Sequence, residues 1–429
     1  MDVILGAGMA GLGAYYANPQ SVIYEKMQLP GGLCSGFEID GYHFDQAVHL
    51  SFTNNETVRS VFNKRKYFIH KPESKSWYHE KWLKHPAQNN LFPCNVEDKI
   101  DAIKSFIERK TQNDSSNFEE WTKSQYGEWL YKNMFLPYNQ KYWCIDLKNL
   151  GTNWIGNRMY RPTLDEILNG AFTDETPNTY YAKEMRYPEN GGYIDFVKEI
   201  IDEANKSENL FCGKEVKKID IVNKIVTFTD GVQIYYDCLF SSIPLTEMPK
   251  LVTDMPEEIK ISISRLEYTC VAIVSIGFNC RLDFDSMWCY FYDDDILAAR
   301  AYMPSIKSPN NAPEGKSSIQ FEIYFNSKDT CPDMEKCIDN CKYALEKTGI
   351  ARESQIQLID FRVIPFGNIV FKHGTEEIAE HATLWLRKKD IMPIGRFGEW
   401  KYYWSDQAFM SGYEASILHN KKMHSVRFF

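Results

Sequence analysis

The chain has 429 residues, a net charge of −9, and 44% hydrophobic and 25% charged residues. This length predicts two or three domains with ample core, and the balance is that of a soluble globular protein. The acidic charge argues against nucleic acid or an anionic membrane as the main partner, so an anionic ligand needs a local exception built from arginines.

Val3-Ile4-Leu5 reads as a strand that runs directly into Gly6-Ala7-Gly8-Met9-Ala10-Gly11. A second apolar run, Val22-Ile23-Tyr24, ends on Glu25. Together they form a βαβ unit with a G-x-G-x-x-G turn and an acid closing the second strand. The first glycine permits the tight turn, the second lets a pyrophosphate approach, and the third lets helix and strand pack. The helix N-terminus then faces the phosphates. Gly6, Gly8, Met9, Ala10, Gly11 and Glu25 are the expected dinucleotide contacts, with Glu25 on a ribose hydroxyl. The turn alone does not separate NAD from FAD. A Gly-Gly pair follows in Pro30-Gly31-Gly32-Leu33, where Gly32 and Leu33 can approach the rest of a cofactor lying over the sheet.

The α/β pattern stops after residue 50. Asn95 is the expected N-cap of a helix with Ile100, Ile103 and Ile107 on one face. A second helical stretch spans Phe118–Lys132, and the region to about residue 180 reads as mostly helical. Gly191-Gly192 restores the α/β character, followed by a helical face of Ile194, Val197, Ile200, Ile201 and Ala204. Strands are expected over Val216–Asp220, Lys224–Thr229 and Val232–Tyr236, with Cys238–Pro244 closing the segment. Strands dominate from about 262 to 365. Tyr268–Phe278 is nearly all apolar, and Ile319, Phe321, Ile323 and Phe325 alternate with more polar positions, predicting one covered face. Helices near 334–348 and 375–388 flank a last strand, Ile356–Ile364.

The expected fold class is α/β, with a Rossmann-like domain interleaved with a helical domain and an antiparallel-sheet domain. The divisions are 1–75, 185–250 and 386–429 for the cofactor domain, 76–184 for the helical cap and 251–385 for the sheet domain. No secretory signal or long apolar span is read, which predicts no membrane span. The eleven Cys are odd in number, and Cys331, Cys337 and Cys341 match no zinc spacing. Reduced thiols in a cytoplasmic protein, and no metal site, are expected. No Ser-His-Asp set or catalytic cysteine context is found.

The layout of the glycine turn and Gly31-Gly32 resembles the FAD family of amine oxidases, protoporphyrinogen oxidases and UDP-galactopyranose mutases. Further segments narrow the resemblance to the mutases, in particular the eukaryotic-type branch. His85-Pro86-Ala87-Gln88-Asn89-Asn90 resembles their base-contacting stretch, with Gln88 matching and His85 and Ala87 departing. Pro137-Tyr138-Asn139-Gln140-Lys141-Tyr142-Trp143 and the downstream Arg158 resemble their PYNxKxW segment and first diphosphate arginine. Trp288-Cys289-Tyr290 and Arg300 resemble the aromatic pair and second arginine. Gly395–Tyr403, then Asp406-Gln407-Ala408, resembles the C-terminal flavin segment, expected to run as a strand into a helix. His49 matches the histidine beside the flavin, although Ala47 and Val48 replace two glycines.

The resemblance implies an FAD enzyme, active when the flavin is reduced, with NADPH or NADH as candidate reductant. It implies ring contraction of a nucleoside-diphosphate sugar such as UDP-galactopyranose, with flavin N5 as nucleophile. His49, Arg158 and Arg300 are the implied catalytic residues. Gln88, Asn139, Trp143, Trp288 and Tyr290 shape the substrate pocket, and Arg396 and Tyr402 touch both flavin and substrate. Val216, Gly395, Asp406, Gln407 and Ala408 complete the implied cofactor contacts. A surface-polysaccharide pathway is implied, and a homodimer is compatible. The alternatives are an FAD oxidoreductase with net redox turnover, which needs no pair of diphosphate arginines, and a flavin-binding partner protein without turnover.

Overall fold

The computed structural model describes residues 1–111, 115–179 and 182–426. Among them, two sheets carry the architecture. The first is parallel and five-stranded, in the order Ile391–Pro393, Cys238–Ser241, Asp2–Leu5, Val22–Tyr24 and Leu210–Phe211. Its central strands are buried on both faces, which is why Val3-Ile4-Leu5 shows no alternation. The helices Met9–Ala17 and Ser405–Val426 lie close together on it. A Cβ on Gly412 would fall 1.8 Å from the Ala10 carbonyl oxygen, so the small residue sets the helix spacing. Val216–Asp220, Ile225–Phe228 and Gln233–Tyr235 form a separate antiparallel sheet.

The second main sheet has seven strands. Its order is Ile356–Val370, Glu267–Phe278, Ser317–Asn326, Arg300–Tyr302, Trp288–Phe291, Ser74–Tyr78 and Lys81–Lys84. The helical region meets the second sheet where helix Leu136–Trp143 packs on strand Ser317–Asn326. Val96–Glu108 is capped by Asn95, Phe118–Tyr126 by Asn117, and Leu164–Phe172 by a Thr163–Glu166 capping box. A π-helical turn, Tyr131–Phe135, leads into helix Leu136–Trp143.

Several expectations are corrected. Ile100 and Ile107 are 45% and 59% exposed, while Ala102 and Phe106 are buried. The close approach of the next helix decides the face, because a Cβ on Gly127 would meet the Ser105 carbonyl oxygen at 2.4 Å and Trp129 N donates to Ser105 Oγ at 2.8 Å. The strands Tyr67–His70, Ser74–Tyr78 and Lys81–Lys84 were not expected. They are short, and the first two pair with Met185–Pro188 and Trp288–Phe291, over a hundred residues away. The divisions at 75/76, 250/251 and 385/386 therefore fall inside Ser74–Tyr78, helix Met248–Leu251 and helix Thr375–Arg387. Strand Ser317–Asn326 is covered on both faces over most of its length, since Gln320 and Glu322 are buried by bonds to polar partners. The last strand runs on to Val370. Gly395–Gly398 is a single helical turn rather than a strand.

Candidate active site

The glycine turn closes as its residues require. Gly6 has φ +98°, and its N–H donates to the Tyr24 carbonyl at 2.8 Å. A Cβ on Gly11 would stand 1.8 Å from the Gly6 carbonyl oxygen. Gly8 precedes helix Met9–Ala17 with no side-chain cap, and Gly8 bridges to Gly31 with Gly32 above it. The first N–H groups of the helix therefore open onto a surface of bare backbone. That surface fits a pyrophosphate, which needs close approach and donors. Glu25 is buried; Oε2 accepts from Ala7 N at 2.7 Å and Oε1 from Met27 N at 2.8 Å. Its carboxylate braces the turn, and each oxygen keeps a lone pair for a ribose hydroxyl. Val216 packs beside the cluster containing Tyr24 and Phe228. Gly395 seats its turn on Ala10, where a Cβ would come within 2.7 Å of the alanine methyl.

A cavity of about 450 Å³ adjoins this cradle at Leu33. Arg158, Arg300 and Arg396 all line it. They come from the loop after helix Leu136–Trp143, from strand Arg300–Tyr302 and from the turn Gly395–Gly398. Arg158 donates through Nη2 to the Tyr402 carbonyl at 2.7 Å and lies 4.7 Å from the rings of both Tyr402 and Trp404. Arg396 donates to Asn368 Oδ1 at 2.8 Å and stacks on Tyr402 at 4.5 Å. Arg300 pairs through Nε with the buried Glu322 and donates to Tyr324 OH at 3.1 Å. Burial opposes the charge on Arg300, but Glu322 holds its pKa well above the ordinary value. The guanidinium charges are thus oriented before any ligand arrives.

His49, Gln88, Asn139, Trp143, Trp288 and Tyr290 line the same cavity. Burial pushes the His49 pKa down to about 4, and its Nδ1 lies 3.0 Å from the Ala47 carbonyl oxygen. Gln88 donates to the Tyr160 carbonyl at 3.2 Å. Asn139 accepts from Trp143 Nε1 at 3.2 Å, so that indole is held by its own helix and packs near Tyr402. Trp288 Nε1 donates to Tyr290 OH at 2.9 Å, and His85 packs 4.5 Å from Tyr290. Lys141 ties this helix to the Trp288 strand through the carbonyls of Phe291 and Asp293, at 3.1 and 2.6 Å. Asp406 lines the cavity from the first turn of the C-terminal helix. Gln407 instead accepts from Trp404 N at 3.0 Å and closes its own helix start, and Ala408 packs against the core beneath the parallel sheet.

The sequence reading did not single out Tyr142, Tyr324, Glu322 and Asn368, which also line the cavity. Tyr142 OH lies 3.1 Å from Tyr402 OH and donates to Asn368 Oδ1 at 3.2 Å. The available signal was the run of polar residues at alternate positions 318, 320 and 322 in an otherwise apolar strand.

Comparison with known proteins bears on both parts of the site. A family profile described as an NAD(P)-binding Rossmann-like domain matches residues 4–65. The crystal structure of a reduced UDP-galactopyranose mutase superposes with a TM-score of 0.91 at 25% identity, covering 97% of this chain and 92% of that one. The chain has the fold of a UDP-galactopyranose mutase. The mutase fold shares its architecture with oxidases at lower similarity. A protein from Exiguobacterium assigned as a protoporphyrinogen oxidase gives a TM-score of 0.73 at 12% identity, covering 97% of each chain. A putrescine oxidase variant gives 0.63 at 12% identity over the same shares. No described helix is long and apolar enough to cross a membrane.

Proposed function

We propose that the chain is an FAD-dependent sugar-nucleotide mutase. It interconverts the pyranose and furanose forms of a nucleoside-diphosphate sugar such as UDP-galactopyranose. The observation that carries this reading is the convergence of Arg158, Arg300 and Arg396 on one cavity beside a dinucleotide cradle, in a chain of net charge −9. Three oriented cations there make the local exception that a diphosphate needs.

FAD, when bound and reduced, supplies a nucleophile for the anomeric carbon without net oxidation. The chain's residues do the rest. The turn Gly6–Gly11 and Glu25 hold the cofactor's adenosine and pyrophosphate, and Asp406 and Arg396 approach its far end. Arg158 and Arg300 bind the substrate diphosphate and stabilise the charge that grows on it as it leaves. Glu322 and the Tyr402 carbonyl hold their guanidinium planes, so little reorganisation is needed. His49, neutral above about pH 4, adds no competing charge beside the cofactor. Tyr290, Trp288, Trp143 and Tyr402 give the sugar flat walls and exclude water. Gln88 presents an amide to the base edge. NADPH or NADH serves as reductant in a cytoplasmic setting, and the product feeds surface-polysaccharide synthesis.

The test is to load the purified protein with FAD and incubate it with UDP-galactopyranose, with and without dithionite. Furanose is expected only with reduced flavin and without stoichiometric loss of reductant. Steady oxygen or acceptor consumption with an amine or alcohol, and no ring contraction, would replace this reading with a net redox oxidoreductase.

A further inference from the structure

The functions assigned above leave unused the most deeply buried charges in the cavity's surroundings. Asp45 and Lys307 both have side chains at 0% exposure, and they pair at 2.6 Å. Such a pair is a poor source of stability, because removing two ions from water costs several kcal/mol each, a rough general figure. Its location suggests a different use. Asp45 ends strand Tyr42–Asp45, four residues before His49.

One carboxylate gathers the surroundings of that histidine. Asp45 Oδ2 accepts from Lys307 Nζ and from Tyr187 OH at 2.8 Å, and Oδ1 accepts from Tyr193 N at 3.1 Å. The Asp45 backbone carbonyl accepts from Gln320 Nε2 at 3.1 Å and Tyr302 OH at 3.3 Å. The Lys307 ammonium lies 4.5 Å from the Tyr187 ring and 4.7 Å from the Tyr302 ring. Tyr193 in turn packs its ring 5.1 Å from the His49 ring, and its hydroxyl lies 2.6 Å from Ser405 Oγ, the residue before Asp406. Thus Asp45 fixes the Tyr193 backbone, and Tyr193 fixes one face of His49.

We propose that the Asp45–Lys307 pair is the positioning element for His49, with Asp45 holding Tyr193 against the imidazole and Lys307 holding Asp45. The proposal rests on the reading of this site as a cofactor and sugar-nucleotide site. Burial alone would push the Asp45 carboxyl up, but Lys307 and His43 keep it well below the carboxylate range. The acceptor is therefore charged at any working pH. Around His49 the charged groups are Asp45, Lys307 and Glu322, from three different elements.

The test uses the flavin-loaded full chain with histidine-labelled NMR. The chain has nine histidines, and His49→Asn assigns the His49 signal. Asp45→Ala/Lys307→Met removes both charges and the acceptor for Tyr193 N. The His49 titration point is expected to rise from about 4 toward the ordinary value of about 6.5. Asp45→Asn/Lys307→Met is equally uncharged but keeps an oxygen for Tyr193 N, and is expected to show none of the alanine variant's rise. Should the alanine double variant fail to fold, Tyr193→Leu removes the ring contact without touching the ion pair and must move His49 in the same direction. An unchanged His49 signal in the folded alanine variant or in Tyr193→Leu would overturn the proposal, as would an asparagine variant displaced as far as the alanine one. Activity is a second readout, with kcat expected to fall about tenfold at unchanged KM in the alanine variant, since a misplaced group costs transition-state rather than ground-state binding. The NMR readout needs no sugar nucleotide. A His49 shift without ring contraction in the wild type would sink the functional reading and leave this one standing.

Discussion

The cradle and the cavity are built by opposite means. The cradle is backbone from a few short segments, with Gly6 against Gly11, Gly8 against Gly31-Gly32, and the Gly395 turn seated on the small Ala10. The cavity is side chains from distant segments that pair with each other before any ligand is present: Arg300 with Glu322, Arg158 with the Tyr402 carbonyl, and Arg396 with Asn368. The difference teaches where each region is vulnerable. The cradle fails by steric intrusion, and the cavity fails by loss of a partner.

The largest effect is expected from Gly11→Ala. A Cβ at 1.8 Å from a backbone oxygen cannot be relieved by a rotamer change, so the turn must open. Flavin retention after gel filtration should be lost and the melting temperature should fall, whereas Gly231→Ala, with nothing within 4 Å of its Cβ but a positive φ, should keep its flavin.

Next come the arginines. Arg158→Ala should lower kcat/KM by about 10²–10³, the scale of removing one preorganised charge-stabilising donor. Arg300→Ala should match that loss and also destabilise the fold by about 3–5 kcal/mol, because it leaves Glu322 buried and unpaired. Denaturant titration separates the two arginines. Arg300→Ala/Glu322→Gln should recover most of the stability and none of the activity.

A smaller effect concerns pH. Burial lowers the pKa of His49 to about 4 and of His85 to about 3. In the unfolded chain both titrate near about 6.5, so between that value and their folded pKa values the unfolded state binds more protons. Their neutral burial therefore costs nothing above about pH 6.5, and stability falls as the pH drops from there toward 4 and then 3. Melting temperatures between pH 7 and pH 4 should decline less steeply in His85→Gln than in the wild type.

The smallest expected effect checks a surface outside both regions. Ile107→Lys should change stability by no more than about 0.5 kcal/mol, while Phe106→Ala on the same helix should cost about 3–5 kcal/mol. Chemical denaturation of the two variants measures this directly.

Much of the cradle was legible in the chain because its information is local. A strand, a glycine turn, a helix and a closing acid follow one another within 25 residues, and each residue type has one physical reason to be there. The arginines at 158 and 300 were legible only through a resemblance, since nothing local marks a guanidinium as a ligand group. The exposed side of Val96–Glu108 was misread because periodicity identifies a stripe but not what faces it. The strand Tyr67–His70 escaped because its partner, Met185–Pro188, lies far along the chain.

By itself, then, the sequence determined the βαβ unit, the helix cap at Asn95, and an acidic balance that confines any anion site to a few arginines. These depend on backbone conformation and charge over short distances. Only the tertiary structure decided that Arg300 is held by Glu322, that Gln320 and Glu322 form a buried polar face, and that Asp45 and Lys307 meet as a fully buried pair. Those pairings cross more than twenty to more than two hundred and fifty residues of chain, and their strength comes from a low-dielectric interior that exists only once the sheets have closed around it.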